Sequence, residues 1–248
     1  MKLTTVTNVS LDGVTQGHRR IDAGTRRDAG APDEDGSVGF DRFGWGPPLF
    51  DDVASTFIGQ AFQRAHAFPF GRRTYEIFAG SWGAGMDPGN PVGEALNTRP
   101  KYVASTTLRN PQWADTTVLS GDVAAAIGEL RAEPGGELQV WGSGTLIRRL
   151  LDRRLVDEIV LLTYPVVIGQ GTRLFPAAGP DTGLELVDLQ STPTGPTAPA
   201  RPGRPSGFRG SERSRPLNVL WTVRAVMALH RSRPPWAART SPSTLRMD

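Results

Sequence analysis

The chain has 248 residues, no cysteine, three scattered histidines and a formal net charge of +3. These features exclude disulfides and thiolate metal sites, and no metal ligand set is predicted. The positive charge belongs to the end of the chain: residues 196–248 hold ten arginines against two acidic residues, whereas residues 1–195 hold 18 basic and 23 acidic residues. A mildly acidic body without a basic stripe argues against nucleic-acid binding.

No targeting or membrane-spanning segment is predicted. The first residues, Met1 to Asn8, alternate like a strand and lack an apolar signal core, and no run of 18 apolar residues occurs. We therefore expect a cytoplasmic protein that acts on a small molecule, without membrane or nucleic-acid partners.

The first predicted element is a strand over Lys2 to Ser10, where apolar and hydroxyl residues alternate and β-branched residues are enriched. The Asp12-Gly13 pair then predicts a turn. Residues 16–48 carry many glycines and charges without periodicity, which predicts a long loop that acts as a lid or is disordered. The aromatic residues near its end, Phe40, Phe43 and Trp45, indicate that part of the loop packs.

Asp51 and Asp52 open a predicted helix whose apolar residues recur three and four positions apart, with acids where the helix dipole favours them. A short buried strand is predicted over residues 65–70. Its Pro69 is unusual, because proline cannot donate to a central ladder. Either the strand lies at an edge or its pairing is locally broken.

Strands and helices continue to alternate from residue 71 onward. The predicted helices are Thr74–Ala79, Val92–Asn97, Val123–Ala132 and Leu146–Asp152, and the predicted strands are Lys101–Ser105, Thr116–Leu119, Leu138–Trp141 and Val156–Tyr164. The last strand is almost continuously apolar, which is typical of a strand buried on both faces. The alternation predicts an α/β fold with a largely parallel sheet.

Residues 196–248 differ from the rest in composition. They contain eight prolines as well as the ten arginines, which predicts a mostly disordered tail after a domain of residues 1–195. Within the tail, Val219 to His230 is predicted as a short apolar helix that needs a partner surface. No regular last strand is predicted after Gly195, so the sheet is expected to expose an edge.

Two segments have the composition of phosphate-binding turns, each with a strand, a glycine turn and a helix start. They are residues 70–74, Phe-Gly-Arg-Arg-Thr, and residues 141–145, Trp-Gly-Ser-Gly-Thr. Glycine lets the backbone approach a phosphate, helix amides donate to it, and Arg72 adds a guanidinium fork. Two turns fit a pyrophosphate dinucleotide better than one, although the second alone is often an ordinary turn. Residues 105–107, Ser-Thr-Thr, form a third polar strand end that also fits a simple cap.

Six motifs occur in an order that resembles a known family. They are Ser10-Leu-Asp-Gly13, Gly71-Arg-Arg-Thr-Tyr-Glu76, Lys101-Tyr-Val-Ala-Ser-Thr-Thr-Leu108, Val140-Trp-Gly-Ser-Gly-Thr-Leu146, Leu155-Val-Asp-Glu-Ile159 and Pro165-Val-Val-Ile-Gly-Gln-Gly-Thr-Arg-Leu-Phe175. From about Met1 to Gly195 the chain resembles dihydrofolate-reductase-like proteins related to the reductase domain of bacterial riboflavin biosynthesis. The resemblance implies a central, mostly parallel sheet flanked by helices, NADPH across the strand ends, and a homodimer.

The resemblance also implies roles for individual residues. The implied cofactor-binding residues are Arg72, Thr74, Ser105, Thr106, Gly142, Ser143, Gly144, Thr145 and Leu146. Arg72 is the expected partner of the 2′-phosphate that separates NADPH from NADH. Asn8 and Asp12 are expected to flank the nicotinamide and the substrate, with the following loop as a lid.

Reduction by a nicotinamide requires a proton source near the acceptor. Dihydrofolate reductases proper use a carboxylate at the start of their first helix, which makes Asp52 the candidate here, with Asp12 as a second catalytic candidate. Acids in a first helical turn are also typical caps, and Asp-Gly is a frequent turn pair, so structural roles are open for both.

The sequence thus predicts an NADPH-dependent reductase that transfers a hydride to a small heterocyclic (pterin- or pyrimidine-like) or carbonyl substrate. One alternative is a non-catalytic nucleotide-binding or sensor module. Another is an interaction protein that acts through its basic tail.

Overall fold

An eight-stranded sheet with helices on both faces forms the centre of the structure, a computed structural model that describes residues 1–17, 42–47, 50–83, 89–175, 183–191 and 223–229. The strands are β1 (Lys2–Ser10), β2 (Ala65–Gly71), β3 (Lys101–Ala104), β4 (Thr116–Leu119), β5 (Glu137–Trp141), β6 (Glu158–Tyr164), β7 (Leu184–Ser191) and β8 (Val223–Leu229). The helices are α1 (Asp52–Arg64), α2 (Arg72–Trp82), α3 (Pro91–Thr98), α4 (Val123–Ala132) and α5 (Gly144–Asp152).

The strand order is β4-β3-β2-β5-β1-β6-β8-β7. The first six strands are parallel, and β8 is antiparallel to both of its neighbours. The prediction of a mostly parallel sheet flanked by helices is therefore confirmed. Because the six parallel strands end at the same edge, the residues that follow β1, β2, β3 and β5 are brought together there.

Strand β1 divides the core into two layers. Its Val6 faces the layer that contains the buried residues of α1, α2 and α3, whereas Leu3 and Val9 face the layer of α4 and α5. This follows from the period of two along a strand, and all three side chains are nearly inaccessible to solvent. A strand buried on both faces gives the adjacent site a rigid base.

The position of Pro69 resolves the choice left open by the sequence. Strand β2 lies between β3 and β5, so it is not an edge strand. Its pairing with β5 is limited to Ala65 and Ala67 and contains a register shift, whereas Pro69 lies beyond this stretch, opposite Tyr102 of β3. The alternative of locally broken pairing is therefore confirmed.

The tail contributes a strand that the sequence did not predict. Residues 223–229 form β8 between β6 and β7, so the predicted helix over residues 219–230 is wrong, as is the expected lack of a last strand. The reason is that the free edge of β6 offers unpaired N–H and C=O groups, which a ladder to β8 satisfies. The other residues after 191, and most of the predicted lid, lie outside the described residues.

Candidate cofactor-binding and active site

The starts of α2 and α5 differ from those of the other three helices. Side chains of Asp51, Asn90 and Asp122 accept first-turn amide hydrogens in α1, α3 and α4. Helices α2 and α5 have no side-chain cap and no acid in their first turns. Their first N–H groups lack intrahelical acceptors, and their dipoles favour negative charge. Both helix starts are therefore suited to an anionic ligand.

Hydrogen bonds join these two helix starts. The Gly71 N–H donates to Ser143 Oγ at 2.9 Å, and the Ser143 N–H donates to Thr74 Oγ1 at 3.1 Å. Ser143 Oγ in turn donates to the Trp141 carbonyl at 3.2 Å. The two predicted phosphate turns thus lie side by side. Because Thr74 Oγ1 accepts from Ser143, its own hydroxyl hydrogen is available for an anion.

The turn before α5 has an unusual backbone. Gly142 and Ser143 have φ values of 54° and 52°, in the left-handed region. A Cβ at Gly142 would meet Thr74 only at 3.6 Å, so the glycine is required for its conformation rather than for space. Serine rarely adopts this conformation, and the hydrogen bonds of Ser143 hold it there.

Arg72 extends from the start of α2 toward the loop after β3. Its Nε donates to Glu76 Oε1 at 2.6 Å, and its Nη1 donates to the hydroxyl of Thr107. Ser105 Oγ accepts the N–H groups of Thr107 at 3.2 Å and Leu108 at 3.0 Å, which shapes this loop. Ser105 therefore supports the loop, and Thr107, which is not among the predicted cofactor-binding residues, makes the contact to Arg72. Thr106 is exposed beside it.

The start of α5 carries a second cation that the sequence analysis missed. Arg148 donates to Thr145 Oγ1 and to the Arg173 carbonyl, both at 3.2 Å. In the part of the chain that the structure describes, its contacts are thus to neutral oxygens. The signal was present in the spacing, because residues three apart share a helix face. Leu146 is 5% exposed and packs in the core below the turn.

Asp12 links the loop after β1 to the loop after β6. Its carboxylate accepts from Ser10 Oγ at 2.6 Å, Ile168 N at 3.1 Å and Gly169 N at 2.9 Å, and Arg173 Nη2 lies 3.6 Å away. Burial opposes ionisation, but the hydrogen bonds outweigh it and lower the pKa of Asp12 to about 2. Asp12 is therefore ionised at neutral pH and carries no proton to donate.

Asn8 lies near the carboxyl end of β1, where Tyr164 Oη donates to its Oδ1 at 3.0 Å. Trp45 packs edge-on against Tyr164, with ring centroids 5.6 Å apart, and its Nε1 donates to the Gln16 carbonyl at 2.9 Å. The predicted packing is confirmed for Trp45, whereas Phe43 is 38% exposed and Phe40 lies outside the described residues. Since Tyr164 fixes the amide oxygen of Asn8, its amide nitrogen is oriented as a donor.

The two acids at the start of α1 have different environments. Asp51 Oδ1 accepts from the Ala54 N–H at 2.8 Å, but its Oδ2 is buried and has no hydrogen-bond partner among the described residues. Asp52, the residue chosen from the sequence, is exposed. Buried polar atoms are rarely left unpaired in native proteins, so Asp51 Oδ2 needs a hydrogen-bond donor from a water or a ligand.

Helix α1 brings these acids to the same edge as the turns. Its last residue, Arg64, lies beside the start of β5, with Arg64 Nε 3.6 Å from Glu137 Oε1. The next residue, Ala65, begins the parallel strand β2. The helix therefore runs back along the sheet, and its first residues lie toward the carboxyl ends of the strands.

The elements described define a dihydrofolate-reductase-like α/β protein with two linked helix starts at the carboxyl edge of the sheet. Solved structures of 11–16% identity have the same fold. A putative riboflavin biosynthesis protein from Shewanella sp. PV-4 is 16% identical with a TM-score of 0.58, and the match covers 93% of this chain and 100% of that one. Enterococcus faecalis dihydrofolate reductase complexed with NADP(H) is 11% identical with a TM-score of 0.53, and the match covers 92% of this chain and 96% of that one. A pyrimidine reductase-like protein from Corynebacterium diphtheriae is 12% identical with a TM-score of 0.54, and the match covers 93% of this chain and 92% of that one.

The family follows from the sequence match. Residues 1–198 match the model of the RibD C-terminal domain, and the chain belongs to that family. Bacillus subtilis YyaP, an uncharacterised protein, is 24% identical over 128 residues, which cover 51% of this chain and 68% of YyaP. The family match and the solved structures thus agree on the fold of this chain.

Neither a membrane-spanning helix nor a metal-binding cluster occurs among the described residues. None of the helices there combines the length and apolarity needed to cross a bilayer. No group of three or more His, Cys, Asp or Glu side chains in that part of the chain is arranged to hold a metal ion.

Proposed function

We propose that this protein is an NADPH-dependent reductase that transfers a hydride to a small heterocyclic or carbonyl compound. The observation that carries the proposal is the pair of uncapped helix starts joined through Ser143. Helix starts of this kind bind phosphate groups, and two of them side by side fit a pyrophosphate. Arg72 and Arg148 flank the pair with guanidinium groups.

The strand order supports an elongated ligand along the sheet edge. The loop after β3 and the start of α2 lie at one end, the start of α5 follows β5, and Asn8 on β1 comes next. From β3 to β1 there are three strand spacings, roughly 14 Å. We assign the 2′-phosphate end to Arg72 and the loop after β3, the pyrophosphate to the start of α5, and the nicotinamide end to the region of Asn8.

Two chemical roles remain for the residues at the β1 end of the site, namely contact with the hydride acceptor and supply of a proton. When bound, the reduced nicotinamide supplies the hydride, and the protein must orient the acceptor and hold a proton near it. We assign the contact with the hydride acceptor to the amide nitrogen of Asn8. We assign the proton-holding role to the carboxyl group of Asp51, because its Oδ2 is buried and without a partner among the described residues. Asp12 positions the two loops, since its carboxylate is already occupied.

The buried Oδ2 of Asp51 also affects which class of substrate is favoured. It accepts a hydrogen bond when ionised and donates one when protonated, so it pairs best with the ring nitrogen or amino group of a heterocycle. This favours a pterin- or pyrimidine-like substrate over a simple carbonyl compound.

Calorimetry and NADPH oxidation test the proposal together. We expect NADPH to bind and to be oxidised in the presence of at least one member of a panel of pterins, flavin precursors and quinones. Asp51→Asn is expected to lower kcat with little change in NADPH affinity, and Asp52→Asn, the matched control, to retain activity. Binding without turnover would favour the non-catalytic nucleotide-binding module, and absent binding would refute the proposal.

We also propose a homodimer, as the family resemblance implies. The edge strand β7 supports this, because Leu186, Val187 and Leu189 are each 57% exposed. Exposed apolar edges usually become covered. Light scattering after size-exclusion chromatography is expected to give a dimer mass, and a monomer at all concentrations would contradict it.

A further inference from the structure

The Arg72 side chain already has an anionic partner from its own helix. Glu76 lies one turn further along α2, with its Oε1 2.6 Å from Arg72 Nε. The two side chains are 30% and 41% exposed, so the pair lies at the surface, where a ligand can reach it. Thr107 holds the other side of the guanidinium. Arg72 is therefore fixed between the helix and the loop after β3.

This arrangement has two opposite effects on phosphate binding. Glu76 orients the guanidinium, which reduces the entropy lost when a ligand binds. It also places a negative charge beside any phosphate that contacts Arg72, and two neighbouring negative charges repel one another. A phosphate monoester carries nearly two negative charges, whereas a ribose hydroxyl carries none. The repulsion therefore acts on NADPH and not on NADH at this position.

We infer that Glu76 sets the cofactor selectivity of this site by weakening the attraction of Arg72 for a 2′-phosphate. This inference rests on the proposed function, because it concerns the same cofactor. Glu76 is a positioning residue, and its charge is the property that matters. The neutral isostere glutamine keeps the reach of the side chain and an oxygen that can accept from Arg72 Nε.

The test is a titration of wild type and Glu76→Gln with NADPH, NADH and adenosine 2′-monophosphate. We expect about three- to tenfold tighter binding of the two 2′-phosphate ligands and less than about twofold change for NADH. The gain should shrink as the salt concentration rises, because screening weakens a repulsion between exposed charges. A purely structural role would not give this salt dependence.

Glu129→Gln is the matched control, since Glu129 is exposed on α4 and its substitution removes the same charge from the protein. It is expected to leave all three affinities unchanged. Suppose that NADPH binds the wild type, but Glu76→Gln leaves the ratio of NADPH affinity to NADH affinity unchanged or lowers it. This inference is then refuted while the proposed function stands. If wild type binds neither NADPH nor adenosine 2′-monophosphate, the phosphate site itself is refuted, and the inference with it.

Discussion

Substitution of Ser143 by alanine removes the hydroxyl that links the two helix starts. Its Oγ accepts from the Gly71 N–H at 2.9 Å and donates to the Trp141 carbonyl at 3.2 Å. Alanine leaves both groups without this partner. A buried group that loses its hydrogen bond lowers the free energy of unfolding by about 1–3 kcal/mol. Because the turn is only half-buried, we expect Ser143→Ala to lower it by about 1–2 kcal/mol. The melting temperature should fall by about 2–4 °C for each kcal/mol in a domain of this size.

A second substitution separates the hydrogen bond from the backbone strain. Ser143 has φ 52° and ψ 48°, where a residue with a Cβ costs about 1–2 kcal/mol relative to glycine. Ser143→Gly loses the same hydroxyl but relieves this strain, so it is expected to be more stable than Ser143→Ala by about 1 kcal/mol after the greater entropy of glycine in the unfolded chain is included.

Urea denaturation and NADPH titration of both variants provide the assay. We expect Ser143→Ala to weaken NADPH binding as well as to lower stability, because the two turns lose their alignment. Ser120→Ala, at an exposed position after β4, is the control and should change neither quantity. If Ser143→Ala matches wild type in both measurements, the link between the helix starts does not hold the site together.

Three further predictions concern single side chains. Arg72→Ala should weaken NADPH binding by about 1.5–3 kcal/mol in calorimetry and leave NADH almost unchanged, because it removes a charge-assisted contact to the 2′-phosphate. Asp12 has a pKa of about 2 in the folded protein, below its ordinary 3.8, so the stability that its carboxylate contributes is complete above about pH 4 and is lost as the pH falls toward 2. After solvent screening, we expect this loss to lower the free energy of unfolding by about 1 kcal/mol in acid denaturation. Lys101 is fully buried and its Nζ donates to the Leu96 and Arg99 carbonyls at 2.7 Å each, so Lys101→Ala should lower the free energy of unfolding by about 2–4 kcal/mol in urea.

Each of these has a result that would contradict it. Equal losses for NADPH and NADH in Arg72→Ala would remove the assignment of the 2′-phosphate. The stability difference between wild type and Asp12→Asn should narrow from pH 6 to pH 2.5, and a constant difference would show that the Asp12 carboxylate is not the titrating group. Burial lowers the pKa of Lys101 despite the nearby Asp115. Lys101→Met, which keeps the volume but not the charge, should therefore cost less than Lys101→Ala.

Local patterns determined much of the fold in advance. The period of two in β1, the Asp122 cap before α4 and the glycine turns before α2 and α5 act within a few residues, so their effects can be predicted from neighbouring letters. The helix over Val123–Ala132 was predicted with the bounds that the structure has. The six ordered motifs likewise indicated the family without any tertiary information.

Tertiary structure decided the features that depend on distant segments. Residues 223–229 form a strand because the edge of β6 was free to pair with them, which outweighs a weak local helical preference. Asp51 rather than Asp52 has the buried oxygen because packing of α1 on the sheet determines which carboxylate is covered. Thr107 reaches Arg72 from 35 positions away in the chain. Packing and strand pairing between distant segments set these contacts, and the neighbouring residues in the sequence do not specify which segments meet.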